Sequence, residues 1–514
     1  MNALQTLDYA VIAVYLVAIA AIGLWYARGQ RTTDDYFLAG RTIPGWAVGF
    51  SLVGTIISSV SFVALPGTAF SGGWRLWIPN LMALPVLLFV MAYIVPFYRR
   101  VVRMSSYEYL ERRFGVGARL YGAASFLVLR IVDLGFTLLL TAIAVEVMTG
   151  WDIYLVLAGV GIFTLIYTVL GGVQAVIWTD VVQGVILFTG ALILLAILLF
   201  TPPAGPAGVL TAAYEGGRFS LGDFGLASSG DRATFWLLAL AGLIHFGRSY
   251  ATEQNMVQRY LVARTDRDAR RGIMVGVIGS VLTWTIFFFI GSCLWAFFQL
   301  TAADLPADVA QRPDDIVPYF IVHWVPQGLV GLLLAAILAA ANSTVSADLN
   351  SVATVATQDF FVRVRPTSDD RERLWFGRAA VLIAGLASMA TAAFLAARRG
   401  RAVYEIFVTL SMILAGGMLG LFALGFFARD ATRRGVYAAI VVCMVFVLWA
   451  TITGPLDVDI GMNFKMHPIT IGIFGNLIML VTGWTASRFL GGPKADLAGL
   501  TLGRTLRADT ANAR

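Results

Sequence analysis

Long apolar runs recur along the whole chain and are separated by short polar connections. Each run is about twenty residues or longer, which is the length that an α-helix needs to cross a hydrocarbon core of roughly 30 Å. The pattern predicts crossing helices at residues 8–27, 45–70, 77–98, 119–149, 152–174, 176–200, 232–252, 271–300, 327–360, 375–397, 402–427, 433–453 and 468–490. We therefore expect an all-α polytopic membrane protein with about 13 transmembrane helices.

Composition supports this class, and the placement of the basic residues gives it an orientation. The chain is 59% hydrophobic and 13% charged, with a mean hydropathy of +0.79. Its net charge of +7 could suggest nucleic acid, but 27 of the 37 lysines and arginines fall on alternate connections, on one side of the predicted membrane. The positive-inside rule then places the N-terminus outside and the C-terminus in the cytoplasm. Arg398, Arg399 and Arg401 are a local exception to this rule, because they fall on the side predicted to be outside. The expected partner of the chain is the lipid bilayer of the inner membrane.

The connections and the tail carry no signature of catalysis. The sequence contains no Walker-type glycine loop, no GxSxG and no HExxH motif. We expect residues 1–490 to form one transmembrane domain and residues 491–514 to form a short cytoplasmic tail. An enzymatic function is not predicted.

Polar residues interrupt the second predicted span, which reads SLVGTIISSVSFVALPGTAF. Because polar side chains are costly in lipid, Ser58, Ser59 and Ser61 point either to close helix packing or to a functional path. The following Pro66-Gly67 pair favours a helix that breaks inside the bilayer, which is tolerated only where the freed carbonyls line a cavity. Both interpretations remain open from the pattern alone.

A similar interruption occurs five spans later. The seventh span is broken by glycine and polar residues around Gly247, Arg248, Ser249 and Tyr250. A pair of broken helices in corresponding positions is typical of transporters built from inverted repeats. The halves would be residues 45–200 and 232–427.

Two further spans carry polar groups at depth. The ninth span contains LAAANSTVSADLN, in which Ser343, Thr344 and Ser346 present hydroxyls to one side of a helix. Hydroxyl oxygens suit a hard cation when carbonyls complete the shell, but they also bond back to their own helix. Asp180 in the sixth span requires a partner, and a helix cap, a second ion site and a proton relay are all open.

Several sequence blocks resemble the sodium:solute symporter family, which includes sodium/glucose, sodium/proline and sodium/sialic acid cotransporters. The blocks are DDYFLAGRTIPGWAVGFSLVGT, YTVLGGVQAVIWTDVVQ, EQNMVQRYLVARTDRDARRG and ANSTVSADLNSVATVATQDF. The resemblance covers nearly the whole chain. It implies the leucine-transporter fold, in which two inverted five-helix repeats are flanked by one extra helix before and two after.

The resemblance also implies where sodium binds. By position, the ligands would be the carbonyl oxygens of Gly54, Ile57 and Ala340 and the hydroxyls of Ser343 and Thr344. Some members bind a second sodium through the aspartate of the sixth span and further serines of the ninth. Asp180 and Ser346 match that second set, whereas Ala347 stands where another serine would be needed.

Solute contacts in relatives come from the broken helices and the third and fourth spans. The corresponding positions here are Ser58, Ser61, Asn80, Arg130, Arg248, Ser249 and Tyr250. Arg130 could hold a solute carboxylate through a bidentate hydrogen bond, or it could be neutralised by Asp133 three residues later on the same helical face.

The expected function is therefore sodium-coupled uptake of a small organic solute by alternating access, with a sugar or an organic or sialic acid as candidates. The alternatives are a proton-coupled transporter that uses Asp180 and a transporter-like sensor.

Overall fold

The computed structural model describes residues 4–27, 32–225, 233–301, 303–397, 403–414, 416–456, 458–491 and 500–502. Regular structure within these ranges is helical, apart from one isolated bridge between Ile43 and Ala263. Arg398, Arg399 and Arg401 lie outside the described residues, as does most of the predicted tail at 491–514.

The long helices follow the predicted apolar runs. They are α1 (Thr6–Ala27), α2 (Gly45–Ile56 and Val60–Gly72), α3 (Trp77–Val101), α4 (Val116–Thr149), α5 and α6 (the two parts of Ile153–Phe200), α7 (Phe235–Thr252), α8 (Asp266–Leu300), α9 (Leu329–Val364), α10 (Asp370–Ala396), α11 (Val403–Leu414 and Met418–Phe427), α12 (Arg433–Thr453) and α13 (Ile469–Leu490). Shorter connecting helices include Thr33–Leu38, Glu108–Phe114, Gly205–Glu215, Gln254–Val262 and Ile316–Trp324.

Among the described residues, nine helices are long and apolar enough to cross a bilayer, and the bent pair that forms α2 makes ten. One of the nine, Ile153–Phe200, contains two predicted spans and is kinked at Gly172. The φ of 59° and ψ of −170° at this residue suit glycine, which has no Cβ to clash with the backbone. Neither α7 nor the two parts of α11 belongs to the nine, so the count of 13 crossings stays a prediction.

The break predicted in the second span lies at residues 57–59, where the two parts of α2 meet at 61°. Ile57 is extended, with φ −91° and ψ 109°. The last carbonyls of a helix have no partner in a following turn. The residues just before this break, at the end of Gly45–Ile56, therefore present free backbone carbonyl oxygens. Pro66 lies beyond the break, where the π-helical turn Val60–Ala64 continues into the helical segment Leu65–Gly72.

The interruption predicted in the seventh span was misplaced. Residues 247–250 are helical, and the backbone becomes extended only at Glu253, with φ −84° and ψ 135°, before the helix Gln254–Val262 begins. Polar residues can lie inside a helix when their side chains find partners there. The Thr252 hydroxyl, for example, bonds back to the Arg248 carbonyl at 2.9 Å and leaves the helix intact.

The ninth helix lies at the centre of the molecule. In its most apolar stretch 89% of the residues are buried, compared with 22% for α1 and 28% for α12. The outer helices expose apolar side chains instead, among them Val14 and Val17 on α1 and Val441 and Val445 on α12. Apolar outward faces are suited to lipid, and the polar residues of α9 are enclosed by protein.

Candidate functional site

The break in α2 faces the middle of α9, and five oxygen atoms converge there. The Ser343 hydroxyl donates to the Gly54 carbonyl at 2.7 Å and lies 3.1 Å from the Ala340 carbonyl. The Thr344 hydroxyl lies 3.2 Å from the carbonyls of Gly54 and Ala340 and 3.4 Å from that of Ile57. The structure thus brings together all five residues expected to bind sodium, here called the oxygen cage.

The absence of a side chain at Gly54 allows this approach. A Cβ built on Gly54 would lie 3.3 Å from the Cβ atoms of both Asp180 and Ser343, which is tighter than most packed carbons accept. All five oxygens of the cage are uncharged carbonyl or hydroxyl groups. Such a set is suited to a hard monovalent cation that must also be released.

The two residues considered for a second ion have other partners. One carboxylate oxygen of Asp180, Oδ2, accepts from the Ser51 hydroxyl at 2.6 Å and lies 3.5 Å from Arg259 Nη2. Both members of this ion pair are fully buried. The Ser346 hydroxyl donates to the Ser343 carbonyl at 3.2 Å. Asp180 therefore already has a cationic partner.

Beside the cage lies a cavity of about 160 Å³, here called the solute cavity, which Thr344 also lines. All seven residues expected to contact the solute line it, namely Ser58, Ser61, Asn80, Arg130, Arg248, Ser249 and Tyr250. Its wall also includes Asp133, Glu253 and Asp348, which are here called the acid cluster.

The arginines of the cavity are bound by the acid cluster. Arg130 Nη2 donates to Asp133, and Arg130 Nη1 donates to Asp348 at 3.0 Å. Arg248 Nη1 lies 2.6 Å from Glu253, whose second carboxylate oxygen is 3.5 Å from Arg130. The contact between Arg130 and Asp133 that their spacing suggested is present, and the role of Arg130 toward a solute carboxylate stays a prediction.

Comparison with known proteins identifies the family. The model of the sodium:solute symporter family matches residues 36–443. The chain belongs to the sodium:solute symporter family.

Relatives within the sodium:solute symporter family cover most of the chain. The sodium/sialic acid symporter NanT of Aliivibrio fischeri is 31% identical over 492 residues, 96% of this chain and 95% of that protein. The sodium/sialic acid symporter SiaT of Proteus mirabilis is 30% identical over 93% of this chain and 94% of that protein. The human sodium/iodide cotransporter is 31% identical over 87% of this chain and 70% of that protein.

Solved structures agree on the fold. A substrate-bound, outward-open Na⁺-coupled sialic acid symporter superposes with a TM-score of 0.84 at 29% identity, covering 95% of this chain and 99% of that chain. Mhp1, a nucleobase-cation-symport-1 family transporter, superposes with a TM-score of 0.55 at 14% identity, covering 90% and 97%. The chain therefore has the all-helical, leucine-transporter-like fold of these cation-coupled transporters.

The structure also gives partners to Asn342, a polar residue of α9 for which the sequence suggested no role. Its side chain donates to the Tyr15 hydroxyl at 3.1 Å and accepts from the Thr164 hydroxyl at 2.7 Å. Its carbonyl accepts from the Tyr167 hydroxyl at 3.0 Å, and Gln183 donates to Tyr15 at 3.2 Å. Asn342 precedes Ser343, so this network holds α9 at the cage, although no motif indicated it.

The other unexplained polar residues of α9 bind the helix Gln254–Val262. Asn255 donates to Asp348 at 2.7 Å, and Gln258 donates to Asn350 at 2.8 Å. Their amide and carboxylate groups therefore fasten α9 to the chain that follows the break at Glu253.

Proposed function

We propose that this chain couples the inward movement of sodium to the uptake of a small organic solute across the cell membrane. The observation that carries the proposal is the convergence of five uncharged oxygens at the α2 break and the middle of α9, beside a cavity that shares Thr344. The relatives NanT and SiaT are sodium/sialic acid symporters, so sialic acids are candidate solutes beside sugars and other organic acids.

The cage would couple the two halves of the molecule. Its ligands come from α2 in the proposed repeat 45–200 and from α9 in the proposed repeat 232–427. An ion that contacts both favours the arrangement in which both supply ligands, and it shifts the population of states accordingly. Sodium entering from outside would stabilise an outward-open state, after which the solute binds and the repeats rock to expose both inward.

The sodium gradient is large enough to drive such a cycle. Moving one positive charge inward yields ~2.3 kcal/mol per 100 mV of membrane potential. A tenfold sodium gradient adds ~1.4 kcal/mol. One ion could therefore sustain a solute gradient of a few hundredfold, and no ATP is needed.

The proposal includes one domain at residues 1–490, a cytoplasmic tail at 491–514 and an N-terminus outside the inner membrane. The excess of basic residues on one set of connections supports this orientation. Only the oxygen cage is included as an ion site, since Asp180 already pairs with Arg259 and Ala347 has no hydroxyl.

Uptake into proteoliposomes under separately imposed gradients tests the coupling. We expect accumulation of radiolabelled solute with an inward sodium gradient and none when sodium is replaced by potassium, whatever the pH gradient. Uptake that survives sodium removal but collapses with the pH gradient would show a proton-coupled transporter. Sodium-dependent solute binding without any uptake would show a sensor.

A further inference from the structure

The solute cavity contains more negative than positive side chains. The charged residues among its described lining are Arg130 and Arg248 against the acid cluster of Asp133, Glu253 and Asp348. With every group in its ordinary ionisation state, one negative charge is in excess. The oxygen cage contains only uncharged ligands, so the excess negative charge lies in the wall of the solute cavity.

Both arginines of the cavity are already paired with carboxylates. Arg130 donates to two carboxylates, Asp133 and Asp348, and Arg248 is paired with Glu253 at 2.6 Å. All five residues are buried. Arg130 Nε and Arg248 Nε have no hydrogen-bond partner among the described residues. A solute carboxylate that bound either guanidinium through two nitrogens would still have to displace one of the paired carboxylates, at a high cost because breaking a buried ion pair leaves an uncompensated charge.

His245, which also lines the cavity, supplies no further positive charge. Its Nδ1 lies 3.4 Å from Arg248 Nη2. A guanidinium only donates hydrogen bonds, so the imidazole nitrogen that faces it must be an acceptor. The ring beside Arg248 is therefore neutral in this arrangement.

Aromatic rings form another part of the wall. The Phe246 ring is stacked on Tyr250 with centroids 5.9 Å apart and lies 5.5 Å from Trp284. All three residues line the cavity. Aromatic faces attract cations, most strongly in desolvated sites, and together with carboxylates they form the chemistry that recognises ammonium groups.

We infer that the solute carries an ammonium group, which binds in the cavity that the acid cluster lines together with the aromatic rings of Phe246, Tyr250 and Trp284. This inference rests on the proposed function, sodium-coupled uptake of a small organic solute, and replaces the sugars and organic acids considered there with a cationic solute class for the same cavity. The volume of about 160 Å³ is below the roughly 300–1,000 Å³ of common ligand pockets, which favours a small amine over a large sugar acid.

The first test compares probes of different charge on the unmodified full-length protein in detergent. The probes are choline and ethanolamine as cations, myo-inositol as a neutral polyol, and lactate and N-acetylneuraminate as anions. We expect a cation to raise the midpoint of thermal unfolding in sodium chloride but not in potassium chloride, since a ligand of the folded state stabilises it. If no cation stabilises the protein, or if an anion or the polyol does, the inference is wrong.

Sodium chloride without any probe separates this inference from the proposed function. Sodium alone should raise the unfolding midpoint relative to potassium. If it does and the cations have no effect, only the solute class is wrong. If sodium itself has no effect, the proposed coupling is wrong.

The second test measures the charge that moves with the solute. One sodium ion and one organic cation carry two positive charges inward per cycle, whereas sodium with a monovalent anion carries none. Simultaneous recording of current and radiolabelled choline or ethanolamine uptake in proteoliposomes gives this ratio. A ratio near two is expected. A ratio near one would mean that the cation moves without sodium, which contradicts the proposed coupling, and the absence of any cation uptake contradicts the inference.

The Asp133→Asn variant tests the acid cluster directly. We expect the half-saturating concentration of the stabilising cation to rise about tenfold, because one member of the cluster loses its charge, while stabilisation by sodium alone persists. Asp308→Asn is the matched control, since Asp308 is exposed and pairs with Arg312 away from the cavity. If Asp133→Asn fails to fold, the probe comparison on the unmodified protein still decides the inference.

Discussion

Thr344 shows at the scale of one residue why the cage is suited to a cation. Its hydroxyl lies within 3.4 Å of four carbonyl oxygens, those of Gly54, Thr55, Ile57 and Ala340. A hydroxyl has only one hydrogen to donate, so these oxygens offer more lone pairs than it can satisfy. A surplus of converging acceptors is the arrangement that a metal ion requires.

Removing this hydroxyl should weaken sodium binding. We expect Thr344→Ala to raise the sodium concentration for half-maximal uptake by about tenfold, which corresponds to the loss of roughly 1.4 kcal/mol. Uptake as a function of sodium concentration in proteoliposomes measures it. Thr344→Ser keeps the hydroxyl and is the control, with a sodium dependence near that of the unmodified protein. An unchanged dependence in both Thr344→Ala and Ser343→Ala would place the ion site elsewhere.

The pair of Asp180 and Arg259 leads to a prediction about stability. Since both side chains are fully buried, Arg259→Ala should leave a carboxylate without its cation and destabilise the fold by about 3–5 kcal/mol. Adding Asp180→Asn to that variant should recover part of the loss. Thermal unfolding in detergent measures both, with Arg365→Ala as a control because its pair with Glu372 is exposed. Equal midpoints for the single and double variants would mean that the pair is not coupled.

At the scale of helices, α1 does more than add a crossing outside the repeats. Asp8 accepts from the backbone N–H groups of Gly328 and Gly331 at 2.9 and 2.8 Å, at the start of α9. Two turns further along α1, Tyr15 holds Asn342 beside the cage. Helix α1 therefore fixes α9 at two levels, although it lies outside both proposed repeats.

We expect Tyr15→Phe to raise the half-saturating sodium concentration by about threefold to tenfold, because α9 loses the hydroxyl that positions Asn342 and hydrogen bonds of this kind contribute about 0.5–1.5 kcal/mol. The half-saturating solute concentration at saturating sodium should not change, which separates positioning of the cage from general damage. Tyr9→Phe removes an exposed hydroxyl of the same helix and should behave like the unmodified protein. A change in solute affinity alone would contradict the assignment.

The elements also show what the sequence could predict. Apolar length predicted the long helices, and clustered hydroxyls predicted the α2 break because a lipid-facing helix would not carry them. The interruption of α7 was placed at residues 247–250 instead of Glu253, since polar residues that bond within a helix and residues that end one look alike in sequence. Hydropathy does not report the φ and ψ of a single residue.

The candidate site was predicted where its members are neighbours in sequence. Ser343 and Thr344 stand together on α9, and the family resemblance joined them to the α2 carbonyls. The partners of Asn342 could not be found in this way, because Tyr15 and Thr164 come from distant helices and periodicity carries no information on distances between helices. The pairing of Arg130 with Asp133 was foreseeable from their spacing, whereas its contact with Asp348 on α9 was not.

For the whole molecule, alternating access predicts that sodium changes which side of the membrane reaches the solute cavity. Leu76 lines the cavity beside the predicted outer end of α3 and is 9% exposed. The native cysteines, Cys293 and Cys443, are buried, so a cysteine introduced at residue 76 can be followed with little background. In the proposed cycle, the state in which the cage binds sodium from outside is also the state in which residue 76 faces outward.

We therefore expect Leu76→Cys in intact cells to react faster with a membrane-impermeant maleimide in sodium than in potassium, and more slowly again when a transported solute fills the cavity. Val364→Cys is the matched control, because residue 364 is 86% exposed but lies on the arginine-rich side predicted to be cytoplasmic. It should react only after the cells are opened. Labelling of Val364→Cys in intact cells would reverse the proposed orientation. Slower labelling of Leu76→Cys in sodium would mean that the ion stabilises a closed or inward-facing state, and that the coupling scheme requires a different order of binding.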